Sequence, residues 1–291
     1  MSRVAFFLTF TFFLLPFSFA EDSASSSPTG QLLYSRLTDG TWQIWRRDLG
    51  TNERVQLTFS PGDKRYPEWA LDDGITYHTS NYSSFLTKPQ EQSEEPLFAE
   101  LWPIRDMAWS PDGTQVVFSR FRTDLVDSSN LWLVDVATQK QRMLTQDTGI
   151  QYHPAWSPDG KEIAYVAGHG YGTYELYVVS ADGSRLRRLT NNPAFETMPC
   201  WSPDGKRIAY ASDASGDYEI WVMSPDGSDS RQLTFFPGLD THPTWSPDGT
   251  RIAFVTNRSG TLEIWMMDAD GADPRVLEAA EGGACDPAWR A

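Results

Sequence analysis

Six residues stand three positions before six tryptophans that recur along the chain. They are Tyr66, Asp106, His153, Met198, His242 and Asp286, preceding Trp69, Trp109, Trp156, Trp201, Trp245 and Trp289. Two imidazoles and two carboxylates gathered in one place could hold a divalent cation, because both groups are ordinary ligands. They could instead form a polar rim against a partner, or have a plain packing role in their strands. His153 and His242 come from non-adjacent repeats, and ligand distances are strict, so no metal site is assigned. A second candidate set is Arg120, Arg122, Asp124 and Asp127 in RFRTDLVDSSN (120–130), whose plainer reading is a solvated polar loop. No G-x-S-x-G, H-E-x-x-H, Walker A or dinucleotide fingerprint is present, so no catalytic residue is assigned and no cofactor is expected.

The elements that must position these residues follow from the repeat. The tryptophans are separated by 40, 47, 45, 44 and 44 residues. A mid-repeat aromatic (Trp45, Phe85, Trp132, Tyr177, Trp221, Trp265) precedes a leucine by 12 residues (Leu57, Leu97, Leu144, Leu189, Leu233, Leu277), and the next periodic Trp lies 12 further on. Length varies only between the periodic Trp and the mid-repeat aromatic. Each repeat reads as four short strands, A to D. Strand A ends near the Trp, SPDG makes a tight turn, runs such as RIAFVT and EIWMM alternate as strands B and C, and strand D ends in Leu-Thr. Four strands per 40–45 residues is the signature of a β-propeller blade.

The predicted fold is therefore all-β: a six-bladed β-propeller with four antiparallel strands per blade over residues 31–291. Residues 31–58 supply only strands B to D, and the C-terminal piece ending at Trp289 supplies only strand A. Their pairing would close the ring and remove its exposed edges. The repeat at 69–108, with ALDDG for SPDG and prolines in its outer strands, should be the least regular. Cys200 and Cys285 fall in strands too far apart for a bridge and are expected to be buried thiols. The residue two before the mid-repeat aromatic (Glu175, Glu219, Glu263; Gln43 and Asn130 elsewhere) should make the same structural hydrogen bond each time.

Residues 1–20 have the form of a cleaved signal peptide, with Arg3, an apolar run and a small-x-small site at Ser18-Phe19-Ala20. Residues 21–30 read as a flexible leader. The expected location is periplasmic or extracellular, with no membrane span in the mature chain. Lys plus Arg is 24 against 39 Asp plus Glu, a net charge of −15. That argues against a nucleic-acid partner.

The repeat unit PxWSPDGxxIAYxSxxxGxxEIWxMxxDGxxxxxLT resembles the TolB-type (WD40-like) propeller repeat across residues 31–291. The resemblance implies six blades and export. It also implies a periplasmic role like that of the Tol–Pal envelope system, whose propeller binds a lipoprotein partner. Members of that system carry an additional N-terminal α/β domain, for which no counterpart is expected here. Similar repeats occur in prolyl-oligopeptidase-type peptidases and oligogalacturonate lyases, so the resemblance carries fold more strongly than function.

The leading functional expectation is a non-catalytic, monomeric scaffold that binds a protein or peptide on the face shared by the B–C and D–A loops. The alternatives are a lyase or hydrolase of a glycan or polymer using His153 and His242, and a regulatory propeller beside a separate hydrolase.

Overall fold

The structure is a computed structural model that describes residues 28–80, 83–88, 93–97, 104–121, 128–147, 149–168 and 173–290. The expected signal peptide and most of the leader lie outside these residues. Six four-stranded sheets are present, every paired neighbour antiparallel. Blades are numbered 1 to 6 here by their periodic tryptophans. The innermost strands are Lys64–Trp69, Ile104–Trp109, Ile150–Trp156, Glu196–Trp201, Asp240–Trp245 and Ala284–Arg290.

Blade 6 is the predicted composite. Its innermost strand, Ala284–Arg290, pairs with Gln31–Thr38, which continues through Thr41–Asp48 to Arg54–Gln56. Blade 1 keeps four strands despite its prolines; Pro96 lies on the outermost strand opposite Phe85, where a missing amide donor is tolerated.

Both faces of the central strands are buried, and each face meets a different neighbour. Ile163, Tyr165 and Ala167 pack on Val117, Leu131 and Leu144 of blade 2. The intervening Ala164 and Val166 pack on Trp201, Ile208 and Tyr210 of blade 4. The period of two along a strand thus distributes one strand's side chains between two inter-blade cores. The same division recurs between blades 4 and 5, and between 5 and 6.

Two polar devices repeat within blades. In SPDG turns the serine hydroxyl donates to the aspartate (Ser110 to Asp112, Ser157 to Asp159, Ser202 to Asp204, Ser246 to Asp248; 2.6–2.7 Å). The Leu-Thr threonine accepts a strand C amide: Ile44 to Thr58, Leu131 to Thr145, Leu176 to Thr190 and Ile220 to Thr234, at 2.9–3.0 Å. The glutamates before the mid-repeat aromatic do not share one bond, contrary to expectation. Glu175 accepts from the Asn192 amide and Arg188, Glu219 from Thr234, and Glu263 from the Trp265 indole. The capping threonine donates in turn to Glu219 in blade 4 and to Gln43 in blade 6, while Glu175 turns to the Asn192 loop amide and Glu263 to its own strand.

Neighbouring A–B turns stack. Gly160, Gly205 and Gly249 each lie against a proline of the previous turn. Blade 1 has Leu71 where the others have that proline, and the Leu71 side chain fills the space beside Gly113. Gly113 has φ +67°, and a Cβ there would strike Leu71. Leu71 is exposed and can turn away, so Gly113→Ala is expected to cost about 2 kcal/mol, the left-handed penalty plus the displacement of Leu71. Gly160→Ala, meeting only Pro111 at 3.9 Å, should lose about 1 kcal/mol, the left-handed penalty alone. Leu71→Ala in the Gly113→Ala background should recover the difference. Urea denaturation of the variants measures this, and equal losses at the two glycines would remove the clash with Leu71 from the account.

Candidate functional site

The innermost strands surround a central cavity of about 380 Å³ that all six ring residues line. Each reaches it by the same backbone device. Between strands A and B the register slips by one residue in every blade, for example from Tyr152↔Val166 to Ala155↔Ala164. The slip is a β-bulge, which re-aims a side chain out of the ladder. At the bulge Tyr66, His153, Met198, His242 and Asp286 have φ between 49° and 54°. That left-handed conformation costs a non-glycine residue about 1–2 kcal/mol. A proline follows each of these five. Proline inside an innermost strand was the available signal for a bulge, because it cannot donate to a ladder.

The ring is polar and internally paired. Asp286, its side chain 2% exposed, receives Arg65 through Nε at 2.6 Å and Nη2 at 3.1 Å. It also accepts the Tyr66 amide at 3.2 Å. Burial alone would raise the Asp286 carboxyl, but the Arg65 bonds and charge hold it down at about 2. Across the ring Asp106 accepts the His153 amide at 3.1 Å. The carboxylate of one blade thus bonds the bulged backbone of the next.

Each histidine sits beside an aspartate. His153 Nε2 is 4.0 Å from Asp106 Oδ1, and its Nδ1 is 2.9 Å from Thr197 Oγ1. His242 Nε2 is 3.5 Å from Asp286 Oδ1, and its Nδ1 is 3.1 Å from Thr241 Oγ1. Enclosure lowers His242 to about 4 despite Asp286, with His153 and Arg65 adding to the effect. The ring is therefore neutral at pH 7 and stacks on Tyr66, with 6.0 Å between centroids.

Several channel residues carry no repeat signature. Glu68 lies one position before Trp69, and burial with the nearby Asp106 charge pushes its carboxyl up to about 8. His78 is 5% exposed, bonds Ser84 at 3.0 Å, and is lowered by burial to about 4. Arg65 also stacks on Trp42 at 4.8 Å and on Tyr66 at 5.2 Å. That gives Trp42, one of two tryptophans outside the repeat, a place at the rim. Cys200 and Cys285 are both unbridged, as expected, but Cys200 is partly exposed and lines the cavity; only Cys285 is buried. Among the described residues no group of three or more His, Cys, Asp or Glu is arranged to hold a metal ion.

Of the second candidate set only Arg120 lies within the described residues. Arg120 stacks on Trp132 of its own blade at 5.5 Å, an arrangement repeated by Arg36 on Trp45 and Arg258 on Trp265. Arg122, Asp124 and Asp127 lie outside the described residues.

The Arg65–Asp286 pair gives a direct test. Arg65→Met leaves a buried carboxylate unpaired, and with Arg65 28% exposed the loss of stability should be about 2–3 kcal/mol by thermal unfolding. Acid adds a second. His242 has a folded value of about 4 against an ordinary 6.5. Its stabilising contribution is complete above 6.5 and is lost as pH falls toward about 4. His242→Gln should flatten that part of the Tm–pH curve; an unchanged curve would mean the ring does not resist protonation.

Comparison with known proteins agrees with this geometry. Residues 97–236 match the TolB beta propeller domain family. A 69-residue stretch is 38% identical to the Tol-Pal system protein TolB of Francisella tularensis subsp. mediasiatica (strain FSC147), covering 24% of this chain and 15% of that protein. The chain therefore spans a small part of the length of that relative. The crystal structure of TolB from Acinetobacter baumannii superposes with a TM-score of 0.77 at 22% identity, covering 89% of this chain and 66% of that one. An oligogalacturonate lyase in complex with manganese superposes with a TM-score of 0.62 at 20% identity, covering 87% and 77%. With six closed blades and the TolB beta propeller domain match over residues 97–236, the chain has the fold of a TolB-type β-propeller.

Proposed function

We propose that this chain is a non-catalytic docking module that takes a protein or peptide partner at the channel mouth, on the face carrying the B–C and D–A loops. The observation that carries the reading is the ring itself. Six bulges present six side chains of four types around one cavity, and at Tyr66 and His153 the bulged amide bonds a carboxylate of the preceding blade. Tyr66 is 40% exposed at this rim, and Phe59, Phe235 and Phe236 stand exposed on D–A loops of the same face. Aromatic anchors around a polar recess are what a peptide-binding surface requires. Among the described residues no helix is long and apolar enough to cross a membrane. The signal-peptide form of residues 1–20 supports an envelope or extracellular location.

A lyase reading draws support from the oligogalacturonate lyase fold and from the two His–Asp pairs. Asp286 is committed to Arg65, however, and a net charge of −15 opposes long-range approach of an acidic polymer.

Peptides selected by panning against the immobilised protein, then measured by calorimetry, test the docking reading. Tyr66→Ala and Met198→Lys should each weaken them about tenfold, or about 1.4 kcal/mol. Unchanged affinities would move the site off the channel mouth. Turnover in a lyase and hydrolase screen that disappears in His242→Ala would replace docking with catalysis.

A further inference from the structure

Between successive blades, the residue before the strand C core position lies near the first or second residue of the next innermost strand. In the joint from blade 6 to blade 1 these are Gln43 and Lys64, both buried, whose nitrogens donate to carbonyls of the D–A loop at Ser60 and Gly62. From blade 2 to blade 3 they are Asn130 and Gln151, both 1% exposed. Each of these joints contains side-chain N–H donors of its own.

The joints on either side of blade 4 are built differently. From blade 3 to blade 4 the pair is Glu175 and Glu196, 2% and 1% exposed; from blade 4 to blade 5 it is Glu219 and Asp240, 4% and 1% exposed. Each joint holds two carboxyls and one guanidinium: Arg188 on Glu175 at 2.7 Å, and Arg258 on Asp240 at 2.8 Å. Ionised carboxylates only accept, and the acceptors outnumber the donors. Glu175 Oε2 and Asp240 Oδ1 are buried without a hydrogen-bond partner. One added proton per joint supplies the missing donor and brings the local charge to zero.

We propose that each of these two joints holds one proton shared between its carboxyls, so that the D–A loops leading to Met198 and His242 are clasped when the proton is present and loosened when it leaves. The clasp reaches the loops directly. Asn192 donates its amide to Glu175 and its side chain to Glu196 at 2.8 Å. Thr234, just before exposed Phe235 and Phe236, donates to Glu219. The other groups facing Glu196 are Thr190 and Ser212, with Tyr210 and Tyr218 within electrostatic range and Asp213 beyond them on the Phe195 amide. Glu219 faces Asp240, Arg258 and Thr234. Burial raises both carboxyls, Glu219 to about 7. A raised folded value means that the stabilisation is complete below the ordinary value of 4.5 and is lost as pH climbs through about 7.

Infrared pH-difference spectroscopy of the whole protein tests this, because a protonated carboxyl has a C=O stretch separate from that of a carboxylate. Near pH 6.5, protonated-carboxyl signal should be present, and Glu219→Gln and Glu196→Gln should each remove a distinct component. Glu68→Gln serves as the control for the channel carboxyl. Hydrogen exchange of the non-proline amides in 191–195 and 235–239, corrected for intrinsic rates, should accelerate several-fold between about pH 6.5 and about pH 8.5, above the ordinary histidine range. The double Gln variant should show no such step. Should that variant fail to fold, Glu175→Gln and Asp240→Asn take its place. A spectrum whose protonated-carboxyl signal vanishes entirely in Glu68→Gln would overturn the proposal, as would loop protection with no pH step in the wild type.

Discussion

The ring stands on a bond between neighbours. The indole Nε1 of Trp69 donates to the Ala288 carbonyl, Trp156 to Ala108, Trp201 to Ala155 and Trp245 to Cys200, at 3.1–3.2 Å. In each case the acceptor is the residue just before the periodic Trp of the preceding blade. A large apolar ring fills the space between two sheets while its one polar atom is satisfied across the gap. The hydrophobic clusters obey the same geometry, since each of the larger ones spans two blades. A blade has little core of its own, so its stability is shared with its neighbours. Trp109 and Trp289 depart from the pattern, bonding Thr76 Oγ1 and the Thr29 carbonyl. These are the two places where the repeat is altered by an irregular blade and by the seam.

Most of the architecture was legible in the spacing of tryptophans. Fixed intervals from the mid-repeat aromatic to Leu and on to Trp fall in strands C, D and A, where ladders forbid insertions. The one variable interval falls in the B–C loop. The composite sixth blade was equally visible, because the chain begins with strand B chemistry and ends with strand A chemistry. The ring residues stood out by their position before the tryptophans and do line the cavity, but the repeat alone did not show why they point there. Pro67, Pro154, Pro199, Pro243 and Pro287 inside innermost strands carried that information. Arg65, Glu68 and His78 could not be found from the repeat. Their importance arises from register across a sheet and from enclosure, and neither has a linear signature. Trp42 belongs with them, since only its stacking on Arg65 explains it.

The distribution of charge within the ring is more specific than the overall acidity. Arg65 neutralises Asp286, whereas Asp106 lies near Glu68, whose carboxyl is kept protonated at pH 7. One side of the cavity is thus a closed ion pair bordered by aromatics, and the other carries the Asp106 and Glu68 carboxyls with the neutral His78 imidazole. A ligand seated there would meet two different chemistries across a few ångströms. That asymmetry comes from single substitutions in an otherwise repeated frame, which is how a symmetric scaffold acquires a direction.

The pairing of Leu32 with Trp289 joins residues 257 positions apart. During synthesis, strands B to D of blade 6 emerge before the other five blades and wait for an innermost strand that follows them. Until then the nascent array is an arc with two free edges, and its blades gain no benefit from closure. Completion is therefore a single late event of very long sequence separation, the kind of contact whose formation is slow. The interval before it is when exposed edges are most open to pairing with another chain. The seam makes the order of events in time as much a property of this ring as the arrangement of its blades in space.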